Sequence, residues 1–221
     1  MTVAILLGAP GAGKGTQAPL LSASLGAPVL ASGDLLRSEV ASGSDIGREV
    51  DAIMQSGELV PDDVMVRLFL ARLGREDAQG GAILDGFPRT RPQAEALDAA
   101  LAASGRRVDK ALLIEVPIDD LIGRFAGRRI CKAGGHVYND WFKPPKVWGV
   151  CDLDGSELVH RADDAEATVR ARMEQQLGPL REVADYYRDQ GILVAVNGLQ
   201  PIEDVAQSLL GALGSHAPAT G

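Results

Sequence analysis

The chain has little of the features that mark membrane, secreted or nucleic-acid-binding proteins. None of its apolar runs approaches the roughly 20 residues that a membrane-spanning helix needs, and residues 1–8 lack the charged start of a secretory signal. Only two cysteines are present, Cys131 and Cys151, which favours a reducing compartment. With 22 basic and 30 acidic residues the formal net charge is −8, so the basic surface of a general nucleic-acid binder is not expected.

The chain does have the composition and the patterning of an α/β protein. Its 221 residues, 46% of them hydrophobic, suffice for one sizeable core with insertions rather than two independent domains. Short apolar runs predict strands at Val3–Leu7, Pro28–Ala31, Ala82–Leu84, Ala111–Val116 and Ile192–Val196. Between them, helices are predicted at Thr16–Leu25, Gly33–Ser42, Ile46–Ser56, Asp62–Leu73, Arg91–Ala102, Asp119–Gly127, Glu166–Arg188 and Ile202–Leu213. This alternation indicates a parallel sheet covered by helices on both faces, with ligands at the carboxyl edge of the strands.

The helical pattern is interrupted between Ile130 and Ala162. Turn residues and short alternating pairs fill this segment. A helix-free excursion of this length inside an α/β chain predicts a small β subdomain rather than a passive loop. Because subdomains of this kind close over bound substrates and exclude water, we expect a lid here.

A glycine-rich segment directly follows the first apolar run. Val3–Leu7 is succeeded by Gly8, by Gly13 after four intervening residues, and then by Lys14 and Thr16. Glycines let successive backbone N–H groups point at phosphate oxygens, and the N-terminus of the next helix adds partial positive charge. We therefore expect Lys14 to reach the β- and γ-phosphates of a nucleotide and the Thr16 hydroxyl to hold Mg²⁺.

A second motif follows the third apolar run. Asp85 stands at the end of this predicted strand, where a carboxylate can hold Mg²⁺ through water. Gly86, Phe87 and Pro88 then form a rigid turn that ends in Arg89, whose guanidinium suits a phosphate.

These two stretches together resemble the adenylate kinases and their nucleoside monophosphate kinase relatives. They are the loop 8–18, in which Gly15 separates Lys14 from Thr16, and the run 85–89 with Gln93. The resemblance covers residues 3–213 and implies a P-loop nucleoside triphosphate hydrolase-like α/β fold. It implies a five-stranded parallel sheet with helices on both faces, a helical insertion for nucleoside monophosphate and a small β lid. The implied core comprises residues 1–30, 61–126 and 165–221, the monophosphate-binding segment residues 31–60 and the lid residues 127–164.

The same resemblance implies where two nucleotides bind. The residues expected to bind ATP are Gly11, Ala12, Gly13, Lys14, Gly15, Thr16, Arg124, Arg128, Val137, Tyr138 and Gln200. Those expected to bind AMP are Ser32, Arg37, Glu58, Leu59, Val60, Gly86, Phe87, Pro88, Arg89, Gln93, Arg161 and Arg172. A direct part in catalysis is expected of Lys14, Arg89, Arg124, Arg128, Arg161 and Arg172. Two nucleotides that meet phosphate to phosphate require such a concentration of positive charge.

The lid raises the question of a metal. In the zinc-bearing lids of this family, four ligands follow the spacing Cys-x2-Cys-x16-Cys-x2-Cys/Asp, and this chain has Cys131, Gly134, Cys151 and Asp154 there. The second ligand is missing, although water or the nearby His136 could complete a zinc site. A lid without metal and a disulfide between the two cysteines are the alternatives.

The resemblance implies reversible phosphoryl transfer from ATP–Mg²⁺ to AMP, giving two ADP. An attacking phosphate is already ionised, so catalysis needs positioning and charge stabilisation and no general base. The alternatives are a GTP:AMP phosphotransferase, another nucleoside monophosphate kinase such as a UMP/CMP kinase, or a nucleotide-dependent binding switch. A cytoplasmic monomer is expected that binds ATP, AMP and ADP but neither nucleic acid nor membrane.

Overall fold

The computed structural model describes residues 2–56, 60–160 and 166–214, which fall into two units. The first unit is built on a five-stranded sheet in which all neighbouring strands are parallel, in the order β2-β3-β1-β4-β8. Its strands are β1 (Thr2–Leu7), β2 (Val29–Ala31), β3 (Gly81–Asp85), β4 (Lys110–Glu115) and β8 (Leu193–Asn197). The near-continuous burial of β1, β3 and β4 is the pattern of strands covered on both faces, as the sequence predicts.

The helices begin and end within two residues of their predicted bounds. They are α1 (Lys14–Leu25), α2 (Ser32–Ser42), α3 (Asp45–Ser56), α4 (Asp62–Leu73), α5 (Arg91–Ala103), α6 (Ile118–Ala126), α7 (Glu166–Asp189) and α8 (Ile202–Ala212). Val3, Ile5 and Leu7 of β1 join a buried cluster with residues of α4, α5 and α7. The alternate residues Ala4 and Leu6 are also buried, and α1 and α8 contact each other and the sheet. The α/β fold class is therefore confirmed.

Register places the site residues at one edge of this sheet. Leu6 of β1 lies opposite Asp85 of β3, and Asp85 lies opposite Ala31 of β2. The segments that leave these three strands, at residues 8, 32 and 86, therefore start from the same carboxyl edge. The fold alone accounts for the convergence of the two sequence motifs.

The second unit comprises residues 9–12 and 116–178 and contains a small antiparallel sheet. Its strands are β5 (Arg128–Cys131), β6 (Val137–Asn139) and β7 (Leu158–Val159), in the order β6-β5-β7. Cys131, Tyr138, Cys151 and Leu158 form its buried cluster. Among the described helices of either unit, none combines the length and apolar character that crossing a membrane requires.

Candidate nucleotide-binding site

The phosphate loop leads into α1 through a left-handed residue. Gly13 has φ 107°, a backbone conformation that favours glycine, and it caps α1 without any side-chain hydrogen bond. The backbone N–H groups of the first turn therefore carry the positive end of the helix dipole with no side-chain acceptor at the cap. Lys14 Nζ donates to the carbonyl oxygen of Gly8 at 2.8 Å, which holds the lysine along the loop. This geometry suits an anion.

Lys14 and Asp85 form the charged centre of the first unit. Removal from water lowers the pKa of the Lys14 amine, an effect that the Asp85 carboxylate opposes. Burial also disfavours the charged form of Asp85, which for a carboxylate means a raised pKa. The positive charges of Lys14 and Arg89 oppose that shift. Hydroxyl and carboxylate oxygens are ligands that Mg²⁺ prefers, so Thr16 and Asp85 fit the expected ion chemically.

Arg89 is held by the turn that precedes it and by the start of α2. Its Nε donates to the carbonyl oxygen of Gly86 at 2.8 Å, and its Nη2 donates to Ser32 Oγ at 3.0 Å. A Cβ at Gly86, where φ is 75°, would lie 2.7 Å from Ser32 Oγ, so this turn approaches Ser32 as closely as glycine allows. The Phe87–Pro88 peptide bond is cis. The structure thus brings together Ser32, Gly86 and Arg89.

Gln93 lies in a hydrogen-bonded network that extends beyond the predicted residues. The side chain of Gln93 is buried, and its Oε1 accepts from the backbone N–H of Arg89 at 2.8 Å. Its Nε2 donates to Asp62 Oδ1 at 2.6 Å. Asp62 is absent from the sequence-based set, although it lies only two residues after Val60, which that set includes. A carboxylate at the start of a helix has an ordinary explanation as a charge at the helix N-terminus, so the pattern does not single it out.

Several other predicted residues of the first unit are more exposed to solvent. Arg37 is exposed and pairs with Asp34 within α2. Gly15 and Gln200 are exposed, the latter in the turn between β8 and α8. Val60 is half-buried and precedes α4.

In the second unit, two predicted arginines are each held against an aromatic ring. The Arg124 guanidinium lies 5.1 Å from the Phe142 ring centroid, and its Nη1 donates to the carbonyl oxygen of Ala12 at 3.2 Å. The Arg128 guanidinium lies 4.4 Å from the centroid of Phe125. Burial lowers the pKa of Arg124, and Asp120 opposes that effect. Stacking keeps both planar groups oriented.

The two lid residues expected near the ATP base differ in exposure. Val137 is 45% exposed. Tyr138 is buried in the small cluster of the second unit, where its hydroxyl accepts from the backbone N–H of Asp152 at 2.8 Å. Its ring therefore faces the interior of this unit. Four further predicted residues fall outside the description: Glu58, Leu59 and Arg161 entirely, and Arg172 in its side chain.

The lid ligand candidates form one tight group that includes His136. One donor atom each from Cys131, His136, Cys151 and Asp154 lies within 4.8 Å of every other. His136 Nδ1 is 3.3 Å from both Cys151 Sγ and Asp154 Oδ2, and Cys131 Sγ is 3.0 Å from Asp154 Oδ2. A tetrahedral zinc with ordinary bond lengths places its ligand atoms about 3.3–3.8 Å apart. The two His136 distances match this spacing and the Cys131–Asp154 distance is shorter, so the group is a candidate metal site. Both cysteines are free thiols, not a disulfide.

Gly134 explains how the imidazole reaches this position. A Cβ built on Gly134 would lie 2.4 Å from His136 Cε1 and 2.7 Å from Asp154 Oδ2. The imidazole thus fills the space that a side chain at the second ligand position would take. Burial and a hydrogen bond to Asp154 raise the pKa of the Cys131 thiol, but hydrogen bonds with Ser156, the Gly134 N–H and Cys151 together outweigh them and lower this pKa to about 7. A hydrogen bond from Cys131 holds the pKa of Asp154 well below its usual range.

A parallel strand, a glycine-rich loop with a lysine, a helix N-terminus and a strand-end carboxylate define a phosphate-binding protein of the P-loop class. The family model described as adenylate kinase matches residues 6–192, and the chain belongs to the adenylate kinase family. It is 45% identical over 210 residues to the adenylate kinase of Streptomyces avermitilis, covering 95% of this chain and 96% of that relative. It is 47% identical over 205 residues to that of Thermodesulfovibrio yellowstonii, covering 93% and 95% respectively.

Proposed function

We infer that the chain transfers a phosphoryl group reversibly from ATP to AMP, giving two ADP. Membership of the adenylate kinase family supports this reaction. The single structural observation that carries it is the convergence of Lys14, Asp85 and Arg89 at the carboxyl edge of β1 and β3, since each charge influences the others there. Phosphoryl transfer needs positive charge here because its transition state carries several negative charges, and Asp85 would hold the Mg²⁺ that adds to the charges of Lys14 and Arg89.

We propose that Lys14 and Arg89 stabilise the phosphoryl group during its transfer. Lys14 is partly desolvated before any nucleotide binds, so a phosphate oxygen would gain from its charge more than it would in water. Ser32 and Gly86 orient Arg89 in advance, which avoids reorganisation during the reaction. The α-phosphate of AMP is ionised at neutral pH, so no residue is assigned as a general base.

The other predicted residues keep their expected roles as proposals. In the first unit, Thr16 and Asp85 hold Mg²⁺, which would neutralise phosphate charge when bound. The family generally uses Mg²⁺–ATP. The backbone of residues 11–16 and the Gln200 region bind ATP, with Arg124, Arg128, Val137 and Tyr138 of the second unit. AMP is bound by Ser32, Arg37, Glu58, Leu59, Val60, Gly86, Phe87, Pro88, Arg89, Gln93, Arg161 and Arg172.

A coupled assay tests the reaction and its nucleotide preference together. ATP and GTP serve as donors, and AMP, UMP, CMP and GMP serve as acceptors. We expect ATP with AMP to give the largest kcat/KM. A preference for GTP would identify a GTP:AMP phosphotransferase, and a preference for UMP or CMP would identify a different monophosphate kinase. Hydrolysis of ATP with no dependence on any acceptor would contradict the proposal.

We also propose that residues 31–60 bind AMP and that residues 127–164 close over a bound nucleotide. Closure would exclude water, which otherwise diverts the reaction towards hydrolysis. Trp141 and Trp148, the two tryptophans of the chain, lie in the second segment and are 61% and 68% exposed. We expect a mimic that joins two adenosines through five phosphates to change their fluorescence. Tight binding with an unchanged spectrum and unchanged quenching by iodide would argue against closure.

We propose that Cys131, His136, Cys151 and Asp154 hold a zinc ion. Thiolate, imidazole and carboxylate are zinc ligands, and four of them make a closed structural site. The spacing of the donor atoms supports this assignment. Elemental analysis of the purified protein should find one zinc per chain, and Cys131→Ser should remove it. Lys132→Ala, an exposed neighbour outside the set, is the control and should retain the ion. Absence of zinc from the unmodified protein after growth with zinc would favour a metal-free lid.

We propose further that the protein acts as a monomer in a reducing compartment. Two buried cysteines that are free rather than joined in a disulfide are compatible with such a compartment. Light scattering across a range of concentrations, with and without nucleotide, should give the mass of a single chain. A dimer mass at low micromolar concentration would contradict this assignment.

A further inference from the structure

We propose that Asp62 is a positioning residue that sets the base specificity of the AMP site, by fixing which way the Gln93 carboxamide points. This inference rests on the proposed role of Gln93 as an AMP-binding residue. Asp62 itself is not expected to touch the nucleotide.

The neighbours of Gln93 allow only one orientation of its amide group. On one side, Oε1 faces the backbone N–H of Arg89 at 2.8 Å, and a backbone N–H can only donate. On the other side, Nε2 faces Asp62 Oδ1 at 2.6 Å, and a carboxylate can only accept. If the amide were turned over, its nitrogen would face the N–H and its oxygen would face the carboxylate. Both contacts would then be repulsive, and the buried amide would lose two hydrogen bonds.

Asp62 is itself held from its second oxygen. Oδ2 accepts from the Thr90 hydroxyl at 2.8 Å. That hydroxyl oxygen in turn accepts from the backbone N–H of Gln93 at 3.3 Å and caps α5. The carboxylate of Asp62 is therefore bonded both to the side chain of Gln93 and to the cap of its helix. Because both of its oxygens are hydrogen-bonded, the Asp62 carboxylate has a fixed position and can fix the orientation of the Gln93 amide.

A fixed amide can read a purine base. A carboxamide has two N–H donors and two oxygen lone pairs, and Asp62 and Arg89 use one of each. One N–H donor and one oxygen lone pair remain for a base. Adenine presents an acceptor at N1 beside a donor at N6, whereas guanine presents a donor at N1 beside an acceptor at O6. An amide with a single orientation therefore pairs with only one of these edges, and a bidentate pair discriminates between bases by about 10- to 100-fold.

Asp62→Asn tests this role because asparagine can donate as well as accept. Its amide could then donate to Gln93 Oε1, which removes one of the two reasons against the inverted orientation. We expect the ratio of kcat/KM for AMP over GMP to fall at least about fivefold, chiefly through a higher KM for AMP. Asp63→Asn, the adjacent acid with a 77% exposed side chain, is the matched control and should leave the ratio unchanged.

The outcomes separate this inference from the proposed function. An unchanged AMP-over-GMP ratio in Asp62→Asn would overturn it, and so would an equal loss with both nucleotides. Gln93→Leu provides the second test. If Gln93→Leu leaves the KM for AMP unchanged, the proposed role of Gln93 is itself wrong. If it raises that KM while Asp62→Asn preserves the ratio, Gln93 binds AMP without guidance from Asp62.

A measurement on the unmodified protein covers the case in which Asp62→Asn does not fold. Nitrogen-15 NMR should find one proton of the Gln93 carboxamide shifted downfield by the Asp62 carboxylate and protected from exchange with water. Proton shifts and exchange rates like those of an exposed glutamine would overturn the inference.

Discussion

The proposed phosphate site of the first unit and the proposed metal site of the second unit both gather side chains that can bind an ion, but they use different chemistry. Lys14 and Asp85 are hard, charged groups that sheet register places at a strand edge. Cys131 and His136 are softer donors that a short hairpin brings to Asp154. The first site joins two short motifs, residues 8–16 and 85–89, and within each motif the residue types leave little freedom. The second site requires only that four donor atoms lie close together, whichever positions of the chain supply them.

Glycine at the two sites illustrates this difference. At Gly86, an added Cβ would lie 2.7 Å from Ser32 Oγ, so the turn excludes any residue with a side chain at this position. At Gly134, the missing side chain leaves space that the imidazole of His136 occupies. The hairpin can therefore offer a donor group from a position two residues further on, whereas the turn at Gly86 has no room for a side chain.

The largest expected effect tests the charged site. We expect Lys14→Met and Arg89→Ala each to lower kcat/KM at least about 100-fold, because removal of one preorganised donor to a transition state has that effect. Steady-state kinetics with AMP and ATP measure it. Arg91→Ala is the matched control, since Arg91 is exposed and bonds Glu95 on the surface of α5. Near-normal turnover in either of the first two variants would show that the convergence of charges serves another purpose.

The sequence predicts the first site better than the second for a physical reason. The phosphate loop and Asp85–Arg89 are local motifs, and the parallel sheet that joins them follows from alternating apolar runs. Asp62 was not predicted because its partners Thr90 and Gln93 are 28 and 31 residues away along the chain. Likewise, spacing indicates three lid ligands, but only the fold shows that the imidazole of His136 takes the place of a side chain at Gly134.

The next largest expected effect concerns zinc affinity when one proposed lid ligand replaces another. His136→Ala should lower zinc affinity at least about 100-fold, since loss of a mere outer partner of a ligand already has a 10–100-fold effect. Gly134→Cys combined with His136→Ala should restore binding through a third thiolate. Competition with a chromophoric chelator measures affinity, and cobalt substitution reports the number of sulfur ligands through its charge-transfer band. If the double variant binds no better than His136→Ala, the two positions are not equivalent and the explanation offered for Gly134 fails.

A third effect concerns packing in the first unit. A Cβ at Gly47 of α3 would lie 2.0 Å from the carbonyl oxygen of Glu39 in α2, so the two helices must separate to accept it. We expect Gly47→Ala to destabilise the fold by about 1–3 kcal/mol, the usual effect of overpacking. Chemical denaturation measures the change. Gly211→Ala in α8 meets nothing within 4 Å and should gain up to about 1 kcal/mol instead. Equal effects at the two positions would rule out the close helix contact.

The smallest effect concerns Tyr186, a half-buried tyrosine of the first unit. The Tyr186 hydroxyl donates to Asp98 Oδ2 at 3.0 Å, and burial together with this carboxylate raises the pKa of Tyr186 to about 12. A phenol in the unfolded chain ionises near pH 10. The folded state therefore keeps a proton that the unfolded state releases, and this contribution to stability declines as pH rises from about 10 to 12. Phenolate absorbance, compared with Tyr186→Phe, should place this titration near pH 12. In Asp98→Asn it should fall below 12 but stay above 10, because burial is the larger cause. A titration at pH 10 in the unmodified protein, with the fold intact by circular dichroism, would contradict the assignment.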